Sequence, residues 1–170
     1  MESMATISPQ SIGIKYAIFS AIAMIIYYLT INLLGLQNSD VIRFGSNIFI
    51  FIAVILAINT LRKHYDALHR EPPYLPGLAI GFIVGLLGAA LYAGFILVHA
   101  IFINPGYAGV LQNQDYFGFR LPLLMVMGSV VILGTAVGAM TSYILMMAFD
   151  KSGGQPDSAR YQPSGIINKK

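Results

Sequence analysis

The chain has 170 residues, of which 56% are hydrophobic and 10% charged, with a formal net charge of +3, a pI near 9.2 and a mean hydropathy of +0.71. A soluble domain carries charge on about a quarter of its residues, so this composition excludes an ordinary water-solvated globule, and the length leaves no room for a separate soluble domain beside a membrane bundle. The absence of cysteine excludes disulfides, thiolate metal sites and cysteine nucleophiles.

Hydropathy divides the chain into four apolar runs, 16–36, 44–61, 75–103 and 121–149, none of which contains an Asp or Glu. Each is as long as the ~17–25 residues a helix needs to cross a bilayer, or longer. The expectation is an all-α fold: an integral membrane four-helix bundle, antiparallel and up-down, with one domain over 1–150 and a flexible polar tail over 151–170.

The first run is read as a retained helix and not as a signal peptide. Its only preceding basic residue is Lys15, the apolar stretch from Tyr16 is too long, and no small-x-small cleavage site follows Leu36. Met1 to Gln10 carries no structural signal. The polar cluster Asn38, Ser39 and Asp40 then marks a short turn that makes the first two helices antiparallel neighbours.

The second helix is expected to run past the membrane. Arg62 with Asp66 and Asp66 with Arg70 are opposite charges at i,i+4, and Leu61, Tyr65 and Leu68 keep helical spacing. Pro72 and Pro73 stop it, and Pro76 falls in the first turn of the third helix, where a missing N–H is harmless. The third connection, 104–120, pairs an Asn-Pro-Gly turn with Tyr107, Leu111, Tyr116, Phe117 and Phe119, an aromatic surface suited to the outer interface.

With four spans both termini lie on one side. That side collects Lys15, Arg62, Lys63, Arg70, Lys151, Arg160, Lys169 and Lys170, against Arg43 and Arg120 opposite. Eight against two sets both termini in the cytoplasm under the positive-inside rule, and the basic pI then reflects topogenic charge and attraction to anionic lipid heads. The basic residues are dispersed and lack interleaved aromatics, so no nucleic-acid partner is expected.

Gly77, Gly81, Gly85, Ala89 and Ala93 recur every fourth residue and form a smooth strip on the third helix; Gly134, Gly138 and Ser142 repeat the device on the fourth. Such strips let backbones approach closely, which makes the third and fourth helices the expected tightest pair. Polar residues converge elsewhere: antiparallel threading sets Thr30, Asn32, Asn47, His99 and Arg120 at one depth near the outer surface. This candidate polar cluster reads either as an outward pocket, with His99 as the group titrating near neutral pH, or as interhelical hydrogen bonding that fixes packing. Tyr27, Tyr28, Tyr92 and Tyr143 read as helix-contact aromatics.

Chemistry is otherwise sparse. Glu2, Asp40, Asp66, Glu71, Asp115, Asp150 and Asp157 all fall outside the spans, which argues against a carboxylate-coupled proton pump. His64 and His69 are five apart and far from His99, and no HExxH, P-loop, nucleotide fingerprint or Ser-His-Asp order occurs. No catalytic residue, cofactor or metal is therefore assigned.

The sequence AINTLRKHY at Ala57–Tyr65 after the second span, and the Gly- and Ala-rich third span beginning LAIGF at Leu78–Phe82, resemble an uncharacterised family of four-helix bacterial inner-membrane proteins, a domain of unknown function common in Bacteroidota. The likeness covers most of Lys15 to Asp150. It implies the four-span fold and the inner membrane and carries no catalytic residues; the Asn104–Tyr107 loop and the tail depart from it. The expected function is a non-enzymatic structural or accessory subunit or scaffold of a membrane complex, with membrane lipids and other membrane subunits or a second copy as partners. The alternatives are a small transporter, channel or lipid-handling protein using the outward polar cluster, and an enzyme acting on a lipid or quinone.

Overall fold

A computed structural model describes residues 8–36, 45–67, 74–103, 109, 111 and 122–149. The Asp66–Arg70 pair, Arg43, Arg120, most of the aromatic outer connection and the polar tail lie outside these residues. The described chain is helical: α1 (Pro9–Leu33), α2 (Asn47–Ala67), α3 (Tyr74–Val98) continued by one π-helical turn (His99–Ile103), and α4 (Leu123–Phe149). All four helices are long and apolar enough to cross a membrane.

Helix boundaries follow local chemistry more than hydropathy. α1 starts at Pro9, about two turns before the apolar run at Tyr16. Proline is pre-shaped for the first helical position, and the extended Ser8 offers its carbonyl to the N–H groups of Ser11 at 2.9 Å and Ile12 at 3.3 Å. Lys15 is thus inside the helix. α1 ends where Gly35 takes a left-handed φ of 68°, open to glycine without the clash a side chain would meet. α2 does continue beyond the apolar run, to Ala67, and Arg62 Nε lies 3.6 Å from Asp66 Oδ2. Pro76 sits in the first turn of α3.

Side-chain pairings set the helix directions. Tyr16 meets Thr60 and Tyr27 meets Phe49, so α1 and α2 run antiparallel. Gly77 faces Met146, Gly81 faces Ser142 and Gly85 faces Gly134, so α3 and α4 do the same. α1 and α3 run parallel, with Gly13 against Ile83, Ser20 against Gly88 and Tyr28 against His99.

The α3–α4 interface is the most extensive, followed by α1–α3; α2 touches the other three helices. In cross-section the bundle is a rhombus with α2 and α3 at the near corners and α1 and α4 at the far ones. Met24, Ile50, Val54, Ile58, Leu61, Ile80 and Val84 fill the centre and are almost wholly buried.

The exterior is apolar as well. Phe19 (56% exposed), Ile26 (59%), Ile132 (72%) and Leu124 (73%) stand outward with many other large hydrophobic residues, on every helix. An apolar exterior this extensive exceeds the patches that soluble monomers expose.

Candidate functional site

Two parts of the molecule bring together the residues singled out in the sequence: the α3–α4 seam, and the end of the bundle where α1 meets the π-helical turn. The seam is built from absent side chains. A Cβ placed at Gly85 would lie 2.6 Å from the Gly134 carbonyl oxygen, and one at Gly134 would lie 2.5 Å from the Ala89 Cβ. Gly138 packs on the backbone of Gly81 and Gly85, while Gly77 accommodates the Met146 thioether. Ser142 closes the strip, its hydroxyl donating to Ala139 O at 2.9 Å and reaching Leu78 O at 3.5 Å. Backbone against backbone is the geometry in which small residues hold helices together without a hydrophobic driving force.

A second small-residue seam, between α1 and α3, was not read from the sequence. Gly13, Ala17, Ser20 and Ala21 are buried on α1, and the Ser20 hydroxyl occupies the place where Gly88 lacks a side chain. The signal was present as Gly13, Ala17 and Ala21 at every fourth position. Gly88 serves this face of α3 while Gly81 and Gly85 serve the face toward α4.

Of the candidate polar cluster, Thr30 is exposed on α1 and its hydroxyl donates to its own helix at Ile26 O, 2.9 Å away. Asn32 and Asn47 are half-buried, Asn47 at the start of α2 next to the buried Ser46. His99 alone of the described four is buried, at 5% exposure. Arg120 lies outside the described residues.

The partner of His99 is Tyr28. The Tyr28 hydroxyl lies 3.1 Å from His99 Nδ1, joining α1 to the end of α3. Aromatic rings surround the pair: Tyr28 stands edge-on to His99 (5.3 Å between centroids), to Phe95 (6.1 Å) and to Tyr92 (6.5 Å), and Phe95 is 6.1 Å from the imidazole. Edge-to-face arrangements of this kind suit the ring quadrupoles. Tyr27 contacts Phe49 on α2, and Tyr143 contacts Tyr74 across α3 and α4.

At the opposite end, the Thr60 hydroxyl donates to Leu56 O at 2.9 Å, so the Tyr16 hydroxyl is the donor in the 2.7 Å bond to Thr60. Arg62 sits 4.7 Å above the centre of the Phe149 ring and ties α2 to α4. Among the described residues no three His, Asp or Glu side chains converge as a metal site would require.

Comparison of the chain with protein-family models, with curated proteins and with solved structures finds no match.

Proposed function

We propose that the chain is a four-span integral protein of the bacterial inner membrane with both termini in the cytoplasm. It acts as a non-enzymatic structural or accessory subunit, packing against other membrane proteins or a second copy of itself. Four helices long and apolar enough to cross a membrane support the four-span reading. The apolar exterior supports lipid as its surroundings, because the same surface in water would lose the stabilisation that burial provides. The unequal distribution of Lys and Arg supports the orientation.

One observation carries the functional reading: the serine and threonine hydroxyls of the helices serve the helices. The hydroxyls of Ser20, Thr30, Thr60, Ser129, Thr135, Thr141 and Ser142 each donate to a main-chain carbonyl three or four residues back. This satisfies a hydroxyl in hydrocarbon without a partner from elsewhere, and directs these groups along their own helices instead of into a shared reaction site. These seven hydroxyls behave as parts of a packing element.

Purification of the full chain in mild detergent tests the proposal. A stoichiometric membrane partner or a defined homo-oligomer is expected. A strictly monomeric particle without neighbours contradicts it.

The buried His99 supports a second reading, a small transporter, channel or lipid-handling protein. An ionisable side chain at membrane depth is expensive and is retained where it lines a path or a site. Under this reading His99→Ala and Asn47→Leu abolish a flux or a ligand-induced stabilisation while expression is unchanged.

A further inference from the structure

We propose that His99 is the recognition group of a binding site for a lipid-soluble quinone, accepted in both its oxidised and reduced forms. The inference deepens the lipid-handling reading and rests on its placement of the bundle in lipid. It starts from a polar atom: His99 is 5% exposed, its Nδ1 is engaged by Tyr28, and among the described residues no hydrogen bond reaches Nε2. A buried imidazole nitrogen without a partner forfeits its solvation, a penalty that a ligand oxygen relieves.

The surroundings select the ligand. Tyr28 stands edge-on to the imidazole, Phe95 lies tilted against it and Tyr92 stands beside Tyr28, so the second imidazole nitrogen lies in an aromatic setting. A sugar or phosphate headgroup would bring several polar atoms that these rings leave unpaired. A quinone brings fewer: one carbonyl oxygen for Nε2, a second on the opposite edge of the ring, and flat apolar faces to set against the aromatic side chains. Ile101, Phe102 and Ile103 on the π-helical turn are exposed, which gives a lipid-soluble molecule an apolar approach beside His99. A π-helical turn is itself uncommon and recurs at functional sites.

Tyr28 accounts for the acceptance of both forms. A neutral imidazole carries a proton on one nitrogen and accepts on the other, and a tyrosine hydroxyl can donate or accept. When Tyr28 donates to Nδ1, Nε2–H donates to a quinone carbonyl. When Nδ1–H donates to the Tyr28 oxygen, Nε2 accepts from a quinol hydroxyl. The pair adapts without placing a charge in the bundle, and the binding includes no electron transfer. Tyr28 is a positioning residue, acting through the tautomer of His99.

The full chain in nanodiscs of phosphatidylethanolamine and phosphatidylglycerol is titrated with a short-chain ubiquinone carrying carbon-13 at its carbonyls, and separately with the quinol. Binding is read as a saturable change in thermal unfolding midpoint, and hydrogen bonding as a down-shifted infrared carbonyl band. Saturation and the shifted band are expected, with His99→Leu removing both. Tyr28→Phe weakens binding roughly tenfold, the equivalent of about one hydrogen bond, and keeps the test open should His99→Leu fail to fold. Linear partitioning without saturation, an unshifted carbonyl, or binding in Tyr28→Phe and His99→Leu as tight as in the unaltered chain overturns the proposal. A His99-dependent flux without quinone saturation overturns it while sparing the lipid-handling reading. Release of the chain from membranes by alkaline carbonate overturns the placement in lipid on which both depend.

Discussion

Gly85 on α3 and Gly134 on α4 approach so closely that a methyl group on Gly85 would lie 2.6 Å from the Gly134 carbonyl oxygen. The neighbour is backbone, so it cannot swing aside as a flexible side chain could. Helix separation here depends on two hydrogen atoms standing where side chains usually stand.

Gly85→Ala is therefore expected to force the helices apart and destabilise the fold by about 1–3 kcal/mol, the usual range for overpacking. Gly94, also on α3, is the control: nothing lies within 4 Å of a Cβ built there. Gly94→Ala removes the entropic penalty of a helical glycine and should be neutral or stabilising by up to about 1 kcal/mol. Unfolding in mixed detergent and denaturant reads both, and equal effects of the two variants would contradict the seam.

Tyr16 and Thr60 form a hydrogen bond between α1 and α2, 2.7 Å long. A double-mutant cycle with Tyr16→Phe and Thr60→Val should give a coupling near the ~0.6 kcal/mol average for such bonds in membrane proteins. Additive losses would mean that the two hydroxyls do not meet.

Arg62 contacts both Asp66 and Phe149, and the two contacts differ in value. The Arg62 and Asp66 side chains are 40% and 61% exposed, so Asp66→Asn should shift stability by less than about 0.5 kcal/mol. Phe149→Ala removes the ring under the guanidinium, the link between α2 and α4, and should cost about 0.5–1 kcal/mol from the cation–π contact alone. Salt titration separates them further, because screening weakens the exposed ion pair first.

How much of this arrangement was legible depended on whether a feature has a period. Hydropathy marked the four helices, and the fourth-residue repeat of Gly77, Gly81 and Gly85 marked a face. The start of α1 at Pro9 leaves no mark in hydropathy because a hydropathy boundary is not a backbone boundary: Pro9, Gln10 and Ser11 are poor lipid residues and good first-turn residues. The parallel α1–α3 contact was missed because short connections suggest pairing with the next helix in sequence, whereas the rhombic cross-section gives α1 its larger interface with α3.

The candidate site shows the same division. The depth of His99 follows from counting along a helix, but the direction of its side chain does not. Its pairing with Tyr28 spans 71 residues of sequence and carries no periodic trace. Thr30 shares the depth inferred from threading, yet bonds back to Ile26 on the exposed side of α1. Depth alone groups residues that rotation about the helix axis then separates.

In the proposed arrangement the exposed apolar side chains face lipid and both termini lie in the cytoplasm. The chain has no native cysteine, so single cysteines can be introduced for labelling by a membrane-impermeant maleimide in intact cells and in inverted vesicles. Phe19→Cys and Ile132→Cys should resist labelling in both preparations and react after detergent is added. Lys170→Cys should label only in inverted vesicles. Rapid labelling of Phe19→Cys and Ile132→Cys in intact membranes would rule out the lipid-facing placement, and labelling of Lys170→Cys from outside the cell would rule out the orientation.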